Sequence, residues 1–295
     1  MYRLKTILLL VLTASIITSC SSDDSGSGEA TLTLDVIGLQ KLSSNAEYEA
    51  WITVAGSPVS LGRFTDVNFP KEFKTSSQML NAADNFMLSI EPGNDGSAGI
   101  SNSVILKGNF MGNSATLSVE QAIGSFSNAT GKFVLKTPTD NANGVDNGND
   151  ESGIYFYDPN TATPGLRLPD LGAGWLYQGW VTLPTAKGDV YVSTGTFTSS
   201  TGADDFAPYS SQKNPAPAFP GEDFLNNTVA PAGITFPTDL RGKNVFISIE
   251  PQNDTSAEPF FLRPLNGSAT DLSPVLNAMN FNSASFPIGS VAISD

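Results

Sequence analysis

Short apolar runs that alternate with polar residues recur along the whole chain. "TLTLDV" (31–36), "EAWITVA" (49–55), "FMLSI" (86–90), "SVILKG" (103–108) and "KFVLK" (132–136) repeat every second residue, the period of a half-buried strand. So do "IYFY" (154–157), "QGWVTL" (178–183), "DVYVSTGTF" (189–197), "NVFISI" (244–249), "PFFLRP" (259–264) and "SVAIS" (290–294). Turn-forming residues separate them. Only "KTSSQMLNAADN" (74–85) and "SPVLNAMNF" (273–281) are long enough and of the right composition for short helices. Strands without alternating helices predict antiparallel sheets, as in sandwiches, and not a parallel α/β sheet.

One strand is written twice. "SIEPGNDGSA" (89–98) and "SIEPQNDTSA" (248–257) agree at eight of ten positions, 159 residues apart. The likeness extends in both directions, as an internal repeat should. Trp51, Gly62 and Phe64 precede the first copy, and Trp180, Gly195 and Phe197 precede the second in the same order. Downstream, "ILKG" (105–108) parallels "FLRP" (261–264), "NSATLS" (113–118) parallels "GSATDLS" (267–273), and "GKFVL" (131–135) parallels "GSVAI" (289–293).

The expected organisation is therefore all-β: two tandem antiparallel β-sandwich (Ig-like) domains, repeat 1 over 31–137 and repeat 2 over 152–295. An acidic, Asn- and Gly-rich linker over 138–151 joins them. The alternative for that stretch is a long hairpin loop between "KFVLK" and "IYFY", which would interlock the repeats.

The first residues have a different logic. Arg3 and Lys5 precede an apolar run of 11 residues (7–17), short of the roughly 20 needed to span a bilayer. "ITSC" then ends at Cys20, the only cysteine in the chain. This resembles a bacterial lipoprotein box, which implies a signal peptide over 1–19 and acylation at Cys20. Residues 20–30, polar and without core-forming side chains, read as a tether. Asp23 and Asp24 resemble the export signal of Bacteroidetes surface lipoproteins, which implies an outer-membrane, cell-surface location, with a periplasm-facing lipoprotein as the alternative.

Charge and composition narrow the function. Without Arg3 and Lys5, 13 basic residues face 29 acidic ones, a net charge of −16 that repels nucleic acid. There is no histidine, so His-based catalysis and His metal ligation are excluded. A lone cysteine forms no intramolecular disulfide.

At its landmarks each repeat resembles the extracytoplasmic C-terminal domain of anti-sigma-K factors. The residues that carry this are Tyr48-Glu49-Ala50-Trp51, Pro58-Val59-Ser60-Leu61-Gly62-Arg63-Phe64 and Ser89-Ile90-Glu91-Pro92. In the second copy they are Tyr177-Gln178-Gly179-Trp180, Ser193-Thr194-Gly195-Thr196-Phe197 and Ser248-Ile249-Glu250-Pro251. The resemblance implies the outer, sandwich-like half of that family. It does not imply sigma-factor binding, because nothing here matches a cytoplasmic zinc domain.

Candidate chemistry is sparse. Glu91 and Glu250 would suit glycoside hydrolysis only if brought within roughly 5–10 Å of each other. Strand alternation instead turns them outward, with Ile90 and Ile249 inward and Pro92 and Pro251 ending the ladder. Lys107 and Arg263 are their expected partners. The acidic run 140–151 lacks the spacing of a calcium loop. Trp51 and Trp180 belong in a sandwich core. The proline-rich "PAPAFPGEDF" (215–224), with Phe219, Glu222, Asp223 and Phe224, is the expected binding surface. The sequence thus predicts a non-enzymatic binding or sensing lipoprotein without cofactor or metal. Its expected partners are the membrane through the lipid anchor and a surface protein or glycan. The alternatives are a structural envelope component and, last, a carbohydrate-active enzyme.

Overall fold

A computed structural model describes residues 28–43, 45–93, 99–140, 147–211, 213–252, 254 and 256–295. The expected signal peptide, the expected lipidation site Cys20 and most of the expected tether lie outside the described residues. Repeat 1 supplies β1 (Glu29–Ile37), β2 (Ala46–Val54), β3 (Ser57–Phe64), β4 (Lys71–Ser76), α1 (Ser77–Asn81), β5 (Ala83–Pro92), β6 (Val104–Asn109), β7 (Ser114–Ser118), α2 (Val119–Ala122) and β8 (Thr130–Leu135). After it come β9 (Gly153–Tyr155), β10 (Tyr157–Asp158), β11 (Thr163–Pro164), β12 (Leu166–Arg167), β13 (Trp175–Thr185), β14 (Gly188–Phe197) and β15 (Gly221–Asp223). The chain continues through β16 (Asn244–Pro251), β17 (Leu265–Ser268), β18 (Asn277–Phe281) and β19 (Ile288–Ser294).

The architecture is all-β, with two large antiparallel sheets in a near-barrel or sandwich arrangement. The first sheet runs β3-β2-β5-β6-β7-β19-β1-β4; the second runs β14-β13-β16-β17-β18-β8-β9-β15, with β12 also on β8. Position by position the two orders match: β2 corresponds to β13, β5 to β16, β1 to β9. The correspondence holds only because two strands are exchanged. β19, from repeat 2, fills the place between β7 and β1, with Leu34 opposite Val291 and Ala115 opposite Val291 on the other side. β8, from repeat 1, fills the same place in the second sheet, pairing with β18 and β9. Each of 31–137 and 152–295 thus gives one strand to the other's sheet.

The acidic stretch follows from this exchange. β8 and β9 are antiparallel neighbours, Val134 opposite Tyr155, so 136–140 and 147–152 are the two arms of a hairpin connection. Its ends are packed and not a solvated linker. Thr137, Thr139, Asp140 and Asp150 are buried, and Asp150 accepts the Thr137 N–H at 3.1 Å.

The repeated letters build repeated geometry. In both β2 and β13 the ladder to the next strand slips at the residue before the tryptophan, between Ala50 and Trp51 and between Gly179 and Trp180. The partner strand takes up that bulge at a glycine with positive φ, +137° at Gly62 and +117° at Gly195. The tyrosine three residues before each tryptophan donates its hydroxyl to a carbonyl eight residues upstream: Tyr48 to Gln40 at 2.7 Å, Tyr177 to Pro169 at 2.6 Å. In the first sheet, the edge strands β3 and β4 meet through Phe64 and Phe73, whose ring centroids are 6.4 Å apart, so the sheet curls toward closure.

Three local expectations are corrected. "SPVLNAMNF" holds β18, because the ladders to β17 and β8 capture it as a strand. "PFFLRP" lies outside any strand; its backbone connects to the ladder mainly through the Ile249 N–H to Leu262 carbonyl bond, while β17 begins at Leu265. "GSATDLS" does not take the place of "NSATLS": the latter is β7, whose positional counterpart is β18. Within 74–85, α1 covers only Ser77–Asn81, and β1 already begins at Glu29, inside the expected tether.

Removing residues 288–295 should open the first sheet between β1 and β7. Amide hydrogen exchange is expected to rise to near the unprotected rate at those amides of 31–37 and 114–118 that face β19, while the amides of β1 that face β4 stay protected. Retained protection there would show that another segment fills the place of β19.

Candidate functional site

Each doubled decapeptide begins on a strand buried on both faces. Along β5, Leu88 and Ile90 join the main core while Ser89 and Glu91 lie on the opposite face, which is also covered. β16 repeats this with Ile247, Ile249, Ser248 and Glu250. Glu91 is 1% exposed and Glu250 5%, so the expected outward, solvated glutamates are corrected. Trp51 and Trp180 are buried as well, on this second face and outside the main core cluster.

Burial of a carboxyl group requires partners, and the partners are the same in both copies. Trp51 Nε1–H donates to Ser89 Oγ at 2.9 Å, and Ser89 Oγ–H donates to Glu91 Oε1. Trp180 Nε1–H donates to Ser248 Oγ at 2.8 Å, and Ser248 Oγ–H donates to Glu250 Oε1. The loop beyond each strand end closes the relay with a backbone N–H: Ser101 to Glu91 Oε1 at 2.9 Å, Phe260 to Glu250 at 3.0 and 3.1 Å.

The expected basic partners are elsewhere. Lys107 stands opposite Met87 and Ser118 in the ladders. The Arg263 guanidinium lies 4.5 Å from the Phe246 ring centroid and 5.2 Å from that of Tyr191, a cation–π arrangement. Arg263 lowers the proton affinity of Glu250 only as a minor influence; burial dominates and pushes that carboxyl up to about 7. One strand further out, Glu49 holds Ser60 Oγ at 2.5 Å and Arg63 Nε at 2.8 Å, whereas its counterpart Gln178 donates to Ser193 Oγ at 2.7 Å.

The two strand ends open onto one cleft of about 1200 Å³. Ile90, Glu91 and Pro92 line it from repeat 1, Pro251 and Gln252 from repeat 2. The repeats touch at its margin, where Ser103 Oγ donates to the Gly174 carbonyl at 3.2 Å. Gly174 has φ +90°, and a Cβ there would stand 2.6 Å from the Asn102 backbone, so only glycine permits the approach. Further wall residues come from 99–103, from 256–261 with Phe260 and Phe261, and from Asn282 to Ser285.

The expected binding surface at 215–224 is interior over its second half, 220–224, while 215–219 stay exposed or half-buried. Glu222, Asp223 and Phe224 are fully buried, because 221–223 form β15 against β9. Phe219 is half-buried and stacks on Tyr157, with centroids 5.2 Å apart. This region holds a second carboxyl cluster that the sequence pattern did not reveal. Glu222 accepts from Ser210 Oγ and the Tyr209 N–H, Asp223 from the Thr139 hydroxyl and N–H, and Asp204 from the Gly221 N–H. Burial pushes Glu222 up to about 8 and Asp204 and Asp223 up to about 7. No group of three or more acidic or thiol side chains among the described residues is arranged to hold a metal ion.

No protein-family model, no curated protein and no solved structure matches this chain.

Two predictions follow from these geometries. Ser248→Ala leaves the Trp180 N–H without its acceptor and Glu250 without one donor. It should cost about 1–3 kcal/mol by urea denaturation, the penalty for unpaired buried polar groups, and Ser89→Ala should behave alike. The second concerns pH. Glu222, Asp204, Asp223 and Glu250 bind protons more tightly folded than unfolded. Below about pH 4 they are protonated in both states; from there to about pH 8 only the unfolded state ionises freely. Stability should therefore fall as pH rises through that window and level off above it. Glu222→Gln should flatten the fall, and denaturation midpoints that rise from pH 5 to 8 would contradict this account.

Proposed function

We propose that this protein is a non-catalytic binding or sensing lipoprotein of the outer membrane, displayed at the cell surface, and that it takes its ligand in the cleft between the two repeats. The observation that carries the reading is the cleft itself. Both copies of the repeated strand end there, and its volume of about 1200 Å³ exceeds the roughly 300–1,000 Å³ typical of small-molecule sites. The glutamates of the two doubled strands, Glu91 and Glu250, support a binding role over a hydrolytic one. Each is enclosed and spends its Oε1 on a serine hydroxyl and a backbone N–H, whereas a general acid or nucleophile must reach the substrate. The likeness of each repeat to the outer domain of anti-sigma-K factors belongs to the same proposal and favours an extracytoplasmic setting. The lipid anchor rests on the lone Cys20 after its apolar run.

Two variants test the reading. Cys20→Ala should abolish lipid labelling and move the protein from the membrane fraction to the soluble one; unchanged fractionation would sink the anchor. Ala284→Trp places a large side chain at an exposed position of the cleft wall. It should remove binding of any ligand found on glycan or peptide arrays while leaving the melting temperature unchanged. Ligand binding indifferent to Ala284→Trp would place the site elsewhere.

A further inference from the structure

We infer that the cleft ligand is an uncharged oligosaccharide. The inference rests on the reading of the cleft as the binding site and adds the chemistry of what fills it.

Its polar groups point to hydroxyls. Gln40 and Asn102 from repeat 1 and Gln252 from repeat 2 line the cleft and are exposed. Among the described residues none of their side-chain amides is engaged in a hydrogen bond, although most polar side chains around them are. Asn282 Nδ2, for example, donates to the Arg263 carbonyl at 3.1 Å. A carboxamide offers two N–H donors and an acceptor oxygen in one plane. A sugar hydroxyl gives one hydrogen bond and takes others, so it satisfies such a group in a way that a carboxylate or an ammonium cannot.

The charges exclude ionic ligands. The lining carries Lys41 and Arg263 against Glu91, Asp254 and Glu258. Arg263 is occupied by the Phe246 and Tyr191 rings, and Glu91 by Ser89 and Ser101. Among the described lining residues one cation and two anions remain, of mixed sign, in a chain whose overall charge is −14. Selection of a polyanion or a polycation requires a field of one sign, and this cleft lacks one. Its walls add apolar surface, with Phe260 and Phe261 beside each other at 4.3 Å between centroids and a proline from each repeat. Apolar walls with a few polar groups are what binds the C–H faces and the hydroxyls of a sugar ring together.

The test uses calorimetry and thermal shift on the mature protein. Neutral probes are hexamers of glucose (α-1,4 and β-1,4), mannose and xylose; charged probes are oligogalacturonate and chitosan oligomers, with a lysine-rich and a glutamate-rich peptide. At least one neutral hexamer should bind and raise the melting temperature. Loss of two neutral hydrogen bonds in the double variant Asn102→Ala/Gln252→Ala should weaken it by about tenfold or more, with the unliganded melting temperature unchanged. Ala284→Trp should abolish it. Binding of only a charged polymer or a peptide, lost on Ala284→Trp, would overturn the oligosaccharide and leave the cleft as the site. Hexamer binding that ignores both variants would overturn both. Absence of binding across the panel would overturn the oligosaccharide assignment.

Discussion

Everything in this fold depends on the reciprocal exchange of β8 and β19. Each exchanged strand is hydrogen-bonded on both sides inside a sheet made mostly by the other repeat. Withdrawing one would expose two ladder edges at once, a condition that native sheets avoid. The exchange also fixes the repeats relative to each other. Two domains on a flexible linker could adopt many relative orientations, whereas two sheets that share strands are held in one. That is why the ends of β5 and β16 meet across a single cleft, and why the cleft can keep its shape without a disulfide.

Within that frame, the tryptophan–serine–glutamate relay explains why the decapeptide appears twice. A strand covered on both faces has nowhere to place polar side chains except against one another. The serine accepts a hydrogen bond from the indole N–H and donates its own hydroxyl to the glutamate; the loop beyond the proline then supplies an N–H. The relay ties the strand end to the loop that forms the cleft wall. A glutamate is therefore required for folding at a place where its proximity to a cleft suggests chemistry. Buried carboxyls recur at Glu222 and Asp223, beside the half-buried Asp204. Burial raises the proton affinity of these groups, so the interior of an acidic chain holds carboxyls that ionise less readily than those on its surface.

The period-two pattern was enough to read the all-β class and nearly every long strand, because alternation reports one-sided burial directly. It failed where burial was two-sided. Glu91 and Glu250 sit on alternate positions that a one-sided strand would give to solvent, so they were expected outside; Glu222 was expected outside because its proline-rich surroundings read as a loop and not as a strand. β18 was mistaken for a helix, and "PFFLRP" for a strand, because short apolar runs carry no period long enough to decide. The tandem repeat was legible from matched landmarks, and the hairpin alternative at 136–152 was visible in the alternation on either side of it. The return half of the exchange, β19 in the first sheet, was not. A strand's letters record which faces are buried and not which neighbour buries them. The cleft was equally hidden, since Gln40, Asn102 and Gln252 are far apart in sequence and belong to no motif.

The placement of β19 has a consequence for time as well as for space. The first sheet contains β1, formed by some of the earliest folded residues to leave a ribosome or a translocation channel, yet it stays incomplete until 288–294 have followed. Repeat 1 therefore cannot lock early and obstruct passage of the rest. The chain remains open through most of its synthesis and becomes a closed body only when nearly all of it has emerged.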